Sequence, residues 1–153
     1  MPRFGSTLGE EAVGLFASDK PASDALNVRG LTAEGRTLLE RATASYDDRF
    51  GGPMSAAALA GFSGAWALVH DILPSAADAT PTAIAAAASA VDLPAGSLPN
   101  GSGLRFGDPG TGTAGANIRA ASVVWQWQAP GRYAVVWPPR YATSPIERLD
   151  PLP

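Results

Sequence analysis

Hydrophobic positions along the chain follow two regimes. Between Thr32 and Val91 they recur every three or four residues, and after Pro94 they scatter among Gly, Pro, Asn and Ser or alternate. Upstream, residues 11–17 form a short apolar run that gives way to the loop-like residues 18–23, which predicts a buried strand. Thr32 predicts a first helix by capping it. Glu34 then lies in the first turn, where the helix dipole favours an anion, and Leu38, Leu39, Ala42 and Tyr46 share one face. Gly51, Gly52 and Pro53 stop that helix. Ser55 caps a second, more apolar one, striped by Leu59, Phe62, Trp66, Val69 and Leu73 and ended by Pro74. Thr80 and Pro81 put a cap and a first-turn proline in the favoured order for a third helix. Its stripe is Ile84, Ala87, Ala88 and Val91, and Asp92, Leu93 and Pro94 close it.

The later regime predicts strands. A short one is expected around Leu104, Arg105 and Phe106. Ala121, Val123, Trp125 and Trp127 then alternate with Ser122, Val124, Gln126 and Gln128, as on a half-exposed strand. Pro130 and Gly131 stand where a type II turn wants them, and residues 133–137 return as the partner strand before Pro138 and Pro139. The expected class is therefore α/β, with about three main helices and a C-terminal β-hairpin. The chain divides into residues 1–24 (strand plus loop), 25–108 (three helices and a short strand), 109–118 (a Gly-rich loop), 119–139 (the hairpin) and 140–153 (a Pro-rich tail).

Composition narrows the chemistry. The 153 residues contain no Cys and one His, which removes disulfides, thiolate zinc sites, iron–sulfur clusters and multi-histidine metal sites. A net charge of −3 argues against a nucleic-acid partner. No run of eighteen apolar residues marks a membrane span. Residues 1–6 have one Arg but no apolar stretch behind it, so the chain as written carries no export signal and would stay in the cytoplasm. Residues 51–99 hold Asp71, Asp78 and Asp92 and no Lys or Arg, which marks the middle third as core.

Motifs that suggest chemistry fit poorly. Gly110, Gly112 and Gly115 match GxGxxG, but in a loop that leads to a hairpin and not to a helix N-terminus. Ser63 lies in a helix and lacks the second glycine of a nucleophile elbow, and the small residues at 61, 63, 64 and 65 are expected to allow close helix packing. His70 is the natural acid–base candidate, but it sits in the last turn of its helix, where the dipole alone favours a cation. Asp71 and Asp78 lack the spacing of a metal loop, and the side chains of Asp47 and Asp48 diverge. Trp125 and Trp127 share a strand face; they either pack the sheet or make an aromatic platform for a sugar or peptide, with Trp137 nearby. Asn100 begins a glycosylation sequon that is equally a turn. Nothing here forms a catalytic constellation or asks for a cofactor or metal.

The order of the pieces carries a resemblance. Residues 46–56 (Tyr46, then Arg49, Phe50, Gly51, Gly52 and Pro53), 60–68, 98–106, 115–127 and 133–138 fall in the same order in a known family. From Leu31 to Pro139 the chain resembles the C-terminal portion of type I periplasmic substrate-binding proteins of the leucine/isoleucine/valine class, actinobacterial members especially. The resemblance implies a partial type I periplasmic-binding-protein-like fold: residues 1–24 return from one lobe, 25–108 belong to a lobe, and the hairpin 119–139 crosses to the other. It implies the solute-binding component of an ABC-type uptake system, not an enzyme, in which closure of two lobes traps a small amino-acid-like ligand. A membrane permease would recognise the closed form, and the family's place is the extracytoplasmic envelope. The N-terminus of the helix at Ser55 matches a cleft-lining position, which makes Ser55, Ala58 and Leu59 the expected ligand-binding residues. Family members are longer and hold most ligand contacts in a first lobe that these pieces do not include. The chain alone is therefore expected to bind no amino acid, and exposed sheet edges would favour a homo-oligomer. The alternative is a stand-alone interaction or sensor module that pairs with itself or with a partner half.

Overall fold

The computed structural model describes residues 2–148; the end of the expected tail, residues 149–153, lies outside them. In chain order the described elements are α1 (Pro2–Leu8), β1 (Phe16–Asp19), α2 (Ala33–Phe50), α3 (Ala56–Ala67), α4 (Pro81–Ala90), β2 (Val123–Ala129) and β3 (Arg132–Trp137). The architecture is mixed α/β, with a three-stranded antiparallel sheet in the order β1-β2-β3.

All three helix caps form as the sequence predicts. The Thr32 hydroxyl accepts from the Gly35 N–H at 3.1 Å, the Ser55 hydroxyl from Ala58 at 3.1 Å, and the Thr80 hydroxyl from Ala83 at 3.3 Å. Each satisfies one N–H that lacks an intrahelical acceptor. At the far end of α2, Gly51 takes a positive φ of 67°, and the Asp47 carboxylate accepts from the Gly52 N–H at 2.5 Å. α3 does not simply stop at Pro74. It widens into a π turn over Leu68–Ile72 and tightens into a 3₁₀ turn over Leu73–Ser75. Pro74 brings no N–H to the preceding turn and its ring crowds the carbonyl there, which breaks the α pattern. The resulting helical run, Ala56–Ser75, is long and apolar enough by composition to cross a membrane, contrary to the expectation from run length alone. Leu59, Ser63, Ala67 and Ile72 bury one side of it against the protein, as in a core helix.

The hairpin forms at the expected place. Trp125 pairs with Val135, and Gly131 at the turn has φ of 68°. The apolar face of the sheet meets α2, α3 and the 22–31 segment: Val123, Trp125 and Val135 pack with Leu26, Leu31, Leu39, Met54, Leu59 and Tyr141. A second cluster joins Ala67, Ile72, Ala87, Leu98 and Leu104. Gly35 permits a close crossing there, because a Cβ would collide with the Gly96 carbonyl.

Several expectations are corrected. The buried strand foreseen at residues 11–17 is a 3₁₀ turn at Gly9–Ala12 followed by an edge strand that starts only at Phe16, with Leu15 and Phe16 exposed. Its run is apolar, but among the described residues the strand has a single neighbour and Phe16 stays about half exposed. The short strand at 104–106 is reduced to isolated bridges, Leu93 with Leu104 and Phe106 with Asn117. β2 is not half-exposed: Gln126 and Gln128 are buried. Residues 141–147 lie over them. The Gln126 amide donates to the Glu147 carbonyl at 2.7 Å and accepts from the Glu147 N–H at 2.8 Å, and Gln128 donates to Pro145 at 2.7 Å. The buried Tyr141 hydroxyl donates to the Gly101 carbonyl, and Asn27 donates to Ala142 at 2.9 Å. On the second helix, Val69 and Leu73 of the expected stripe are exposed. Gly61 and Gly64 face open space and make no close packing. α1 was not foreseen; it covers the end of β2, with Phe4 5.0 Å from Trp127 between ring centroids.

Candidate functional site

The N-terminus of α3 opens onto a cleft of about 350 Å³ between the end of β1, the 21–24 turn and the sheet. The turn is fixed in place because the Ser23 hydroxyl donates to the Met54 carbonyl at 3.0 Å. That bond brings Asp24 to the residues that precede α3. Asp19, Asp24 and Ser55 line one part of the cleft, and Trp125 and Tyr133 another. The two rings pack at 4.8 Å between centroids, tilted by 46°.

Three kinds of group are offered to a ligand. Ala56 and Ala57 line the cleft, and their first-turn N–H groups have no intrahelical acceptor, so the positive end of the helix dipole faces a guest. The Ser55 hydroxyl accepts from Ala58 and retains its own proton to donate. Opposite charge comes from Asp24 and from Asp19, whose carboxylate also holds the Lys20 N–H at 2.8 Å and pairs with the Lys20 ammonium at 3.5 Å. Burial, and then the Asp24 charge, push the Tyr133 phenol above its ordinary value, which keeps it a neutral donor. The indole N–H of Trp125 is buried, and among the described residues it finds no acceptor. A buried donor left unpaired carries a desolvation cost within the core. The arrangement can hold a small dipolar solute.

Of the residues expected to bind ligand, Ser55 lines this cleft. Ala58 is half-buried against the main core, and Leu59 is fully buried within it. Asp19, Asp24 and Tyr133 had no signal in the sequence; the fold assembles them from two strands and a turn.

The other candidates fall into structural places. Ser63 is buried and donates to the Leu59 carbonyl at 2.8 Å. His70 is exposed in the π turn and stacks on Trp66 at 3.7 Å. Trp125 and Trp127 are 1% and 2% exposed, which makes them core and closes the open platform reading, whereas Trp137 is 55% exposed. Asn100 is buried and accepts from the Ser102 N–H at 3.0 Å, as a turn residue does. Asp78 accepts from the Thr80 hydroxyl and N–H, and those bonds lower its carboxyl. Gly110, Gly112 and Gly115 lie in an exposed run of turns. No family model matches the chain, and no curated protein matches it.

Proposed function

We propose that the chain is part of the solute-binding component of an ABC-type uptake system, of partial type I periplasmic-binding-protein-like fold. It takes an amino-acid-like ligand by closure of two lobes and presents the closed form to a membrane permease. The α3 cleft carries this reading. Its helix N-terminus and Ser55 suit a ligand carboxylate, its Asp19 and Asp24 suit an ammonium, and Trp125 with Tyr133 supplies an apolar wall. A single wall gives weak affinity, and closure adds the contacts of the opposing lobe only in the closed state.

Titration of the isotopically labelled chain with L-leucine, followed by NMR, tests this. The α3 cleft replaces the sequence's expectation of no binding by the chain alone with one of weak binding: the Ala56 and Ala57 amides are expected to shift, with a dissociation constant weaker than micromolar. Absence of shifts at those groups in tens of millimolar leucine overturns the reading.

A second reading has an observation in its favour. The outward side of Ala56–Ser75 exposes Leu68, Val69 and Leu73, and β1 has a free edge, as in a module that pairs with itself or with a partner half. Concentration-dependent sedimentation read together with the leucine titration separates the two: self-association without any shift at the α3 cleft favours the interaction module.

A further inference from the structure

A second hollow lies at the other end of the long helix and plays no part in the preceding reading. It measures about 620 Å³, within the usual range for ligand pockets, and sits between α2, the π turn and residues 93–98. α2 contributes Thr37, Leu38 and Arg41 on one face, at the spacing that aligns residues along a helix. The π turn contributes Asp71, and such turns recur at functional sites.

Two of the three charges of this hollow are unused. Arg41 and Asp71 make no ion pair with each other, and among the described residues neither makes one elsewhere. Asp71 is partly desolvated, and burial pushes its carboxyl up against the opposing pull of His70. A carboxylate held there without a partner is destabilised until a cation arrives. Glu34, also at the rim, is already engaged by its own N–H and the Thr32 hydroxyl, which lower it. Between the charged groups the walls are apolar, from Leu38, Trp66 and Leu98, and Thr37 and Ser97 supply hydroxyls.

We propose that this hollow binds a short zwitterionic peptide, with its C-terminal carboxylate on the Arg41 guanidinium and its N-terminal ammonium on the Asp71 carboxylate. Arginine matches a carboxylate with two parallel donors, and the hydroxyls of Thr37 and Ser97 suit the peptide's amide groups. Arg41 and Asp71 come from separate walls of a hollow of about 620 Å³, a volume in the range that takes a drug-sized ligand and larger than a single free amino acid fills. The site is independent of the α3 cleft and stands or falls without it.

Calorimetric titration of the chain with dileucine tests the proposal, using L-leucine, N-acetyl-dileucine and dileucine amide as comparators. Dileucine is expected to bind, and loss of either terminal charge is expected to weaken binding about tenfold or more. Asp71→Asn and Arg41→Gln should each do the same, with Arg29→Gln as an off-site control that changes nothing. Thermal melts of Asp71→Asn should show undiminished stability, since the variant removes a desolvated charge; a structural role would lower it. The comparator peptides probe the unaltered chain, so the test does not depend on any variant folding. The proposal is overturned if dileucine gives no binding, if leucine matches it, or if the blocked peptides or Asp71→Asn retain the full affinity.

Discussion

The sheet and the long helix handle apolar surface in opposite ways. β2 is covered on both faces: Trp125 and Val123 meet the main core, and Gln126 and Gln128 are sealed by residues 141–147. The Ala56–Ser75 run is more apolar, yet only 22% of its most apolar window is buried. Hydrophobicity therefore does not rank the two by burial; available neighbours do. The polar strand face is buried because a later segment bonds both ends of the Gln126 amide and the N–H of Gln128. Of these amides, only the Gln128 Oε1 is left without a partner among the described residues. The apolar helix face stays open because no described element lies over it. Buried amides are tolerated when bonded, and exposed apolar residues cost little singly.

Mutations can break this contrast at both ends. The largest effect is expected at Trp127, which α1 and Tyr133 enclose. Trp127→Ala should cost about 3–5 kcal/mol in a urea melt, and a loss under about 1 kcal/mol would mean that α1 does not cover it in solution. Gln126→Ala comes next. It removes both bonds to Glu147 and should cost about 1–3 kcal/mol, with faster amide hydrogen exchange across residues 143–148. Unchanged exchange there would dissociate the segment from the sheet. Val69→Ser, on the open helix side, should stay within about 0.5 kcal/mol. A larger loss that grows with protein concentration would instead point to self-pairing.

The smallest effect is one of pH. Burial raises the Asp71 carboxyl in the fold, so its contribution to stability is highest in acid and declines as pH rises above the ordinary aspartate value. Glu34 is lowered, chiefly by its backbone hydrogen bond, and acts the other way: its contribution is present above the ordinary glutamate value and fades as pH falls through its lowered one. Asp71→Asn should thus leave a melt profile in which stability rises with pH across the acid range more steeply than in the unaltered chain. An identical profile would place Asp71 in ordinary solvent.

What the sequence disclosed was local. Thr32, Ser55 and Thr80 cap because each needs only the N–H three residues on, and Pro130 with Gly131 turns because of its own backbone preferences. The burial of Gln126 was hidden because its cover lies twenty-one residues downstream. α1 was missed because its seven residues carry little periodicity, and its anchoring contact is with a tryptophan far along the chain. The site divides in the same way. Ser55 was legible because the residue that caps the helix also edges the cleft. Asp24 was not, since it reaches the cleft through a bond between Ser23 and Met54.

Tyr141 joins distant stretches: its ring is enclosed, its hydroxyl reaches Gly101, and its carbonyl accepts from the Asn27 N–H at 3.3 Å. On a ribosome, residues 27–101 would leave the exit tunnel well before this tyrosine does. During that interval the slot it fills stands open, along with the buried face of β2. Each nascent chain therefore passes through a stage in which other binders compete with the segment around Tyr141 for the same surface.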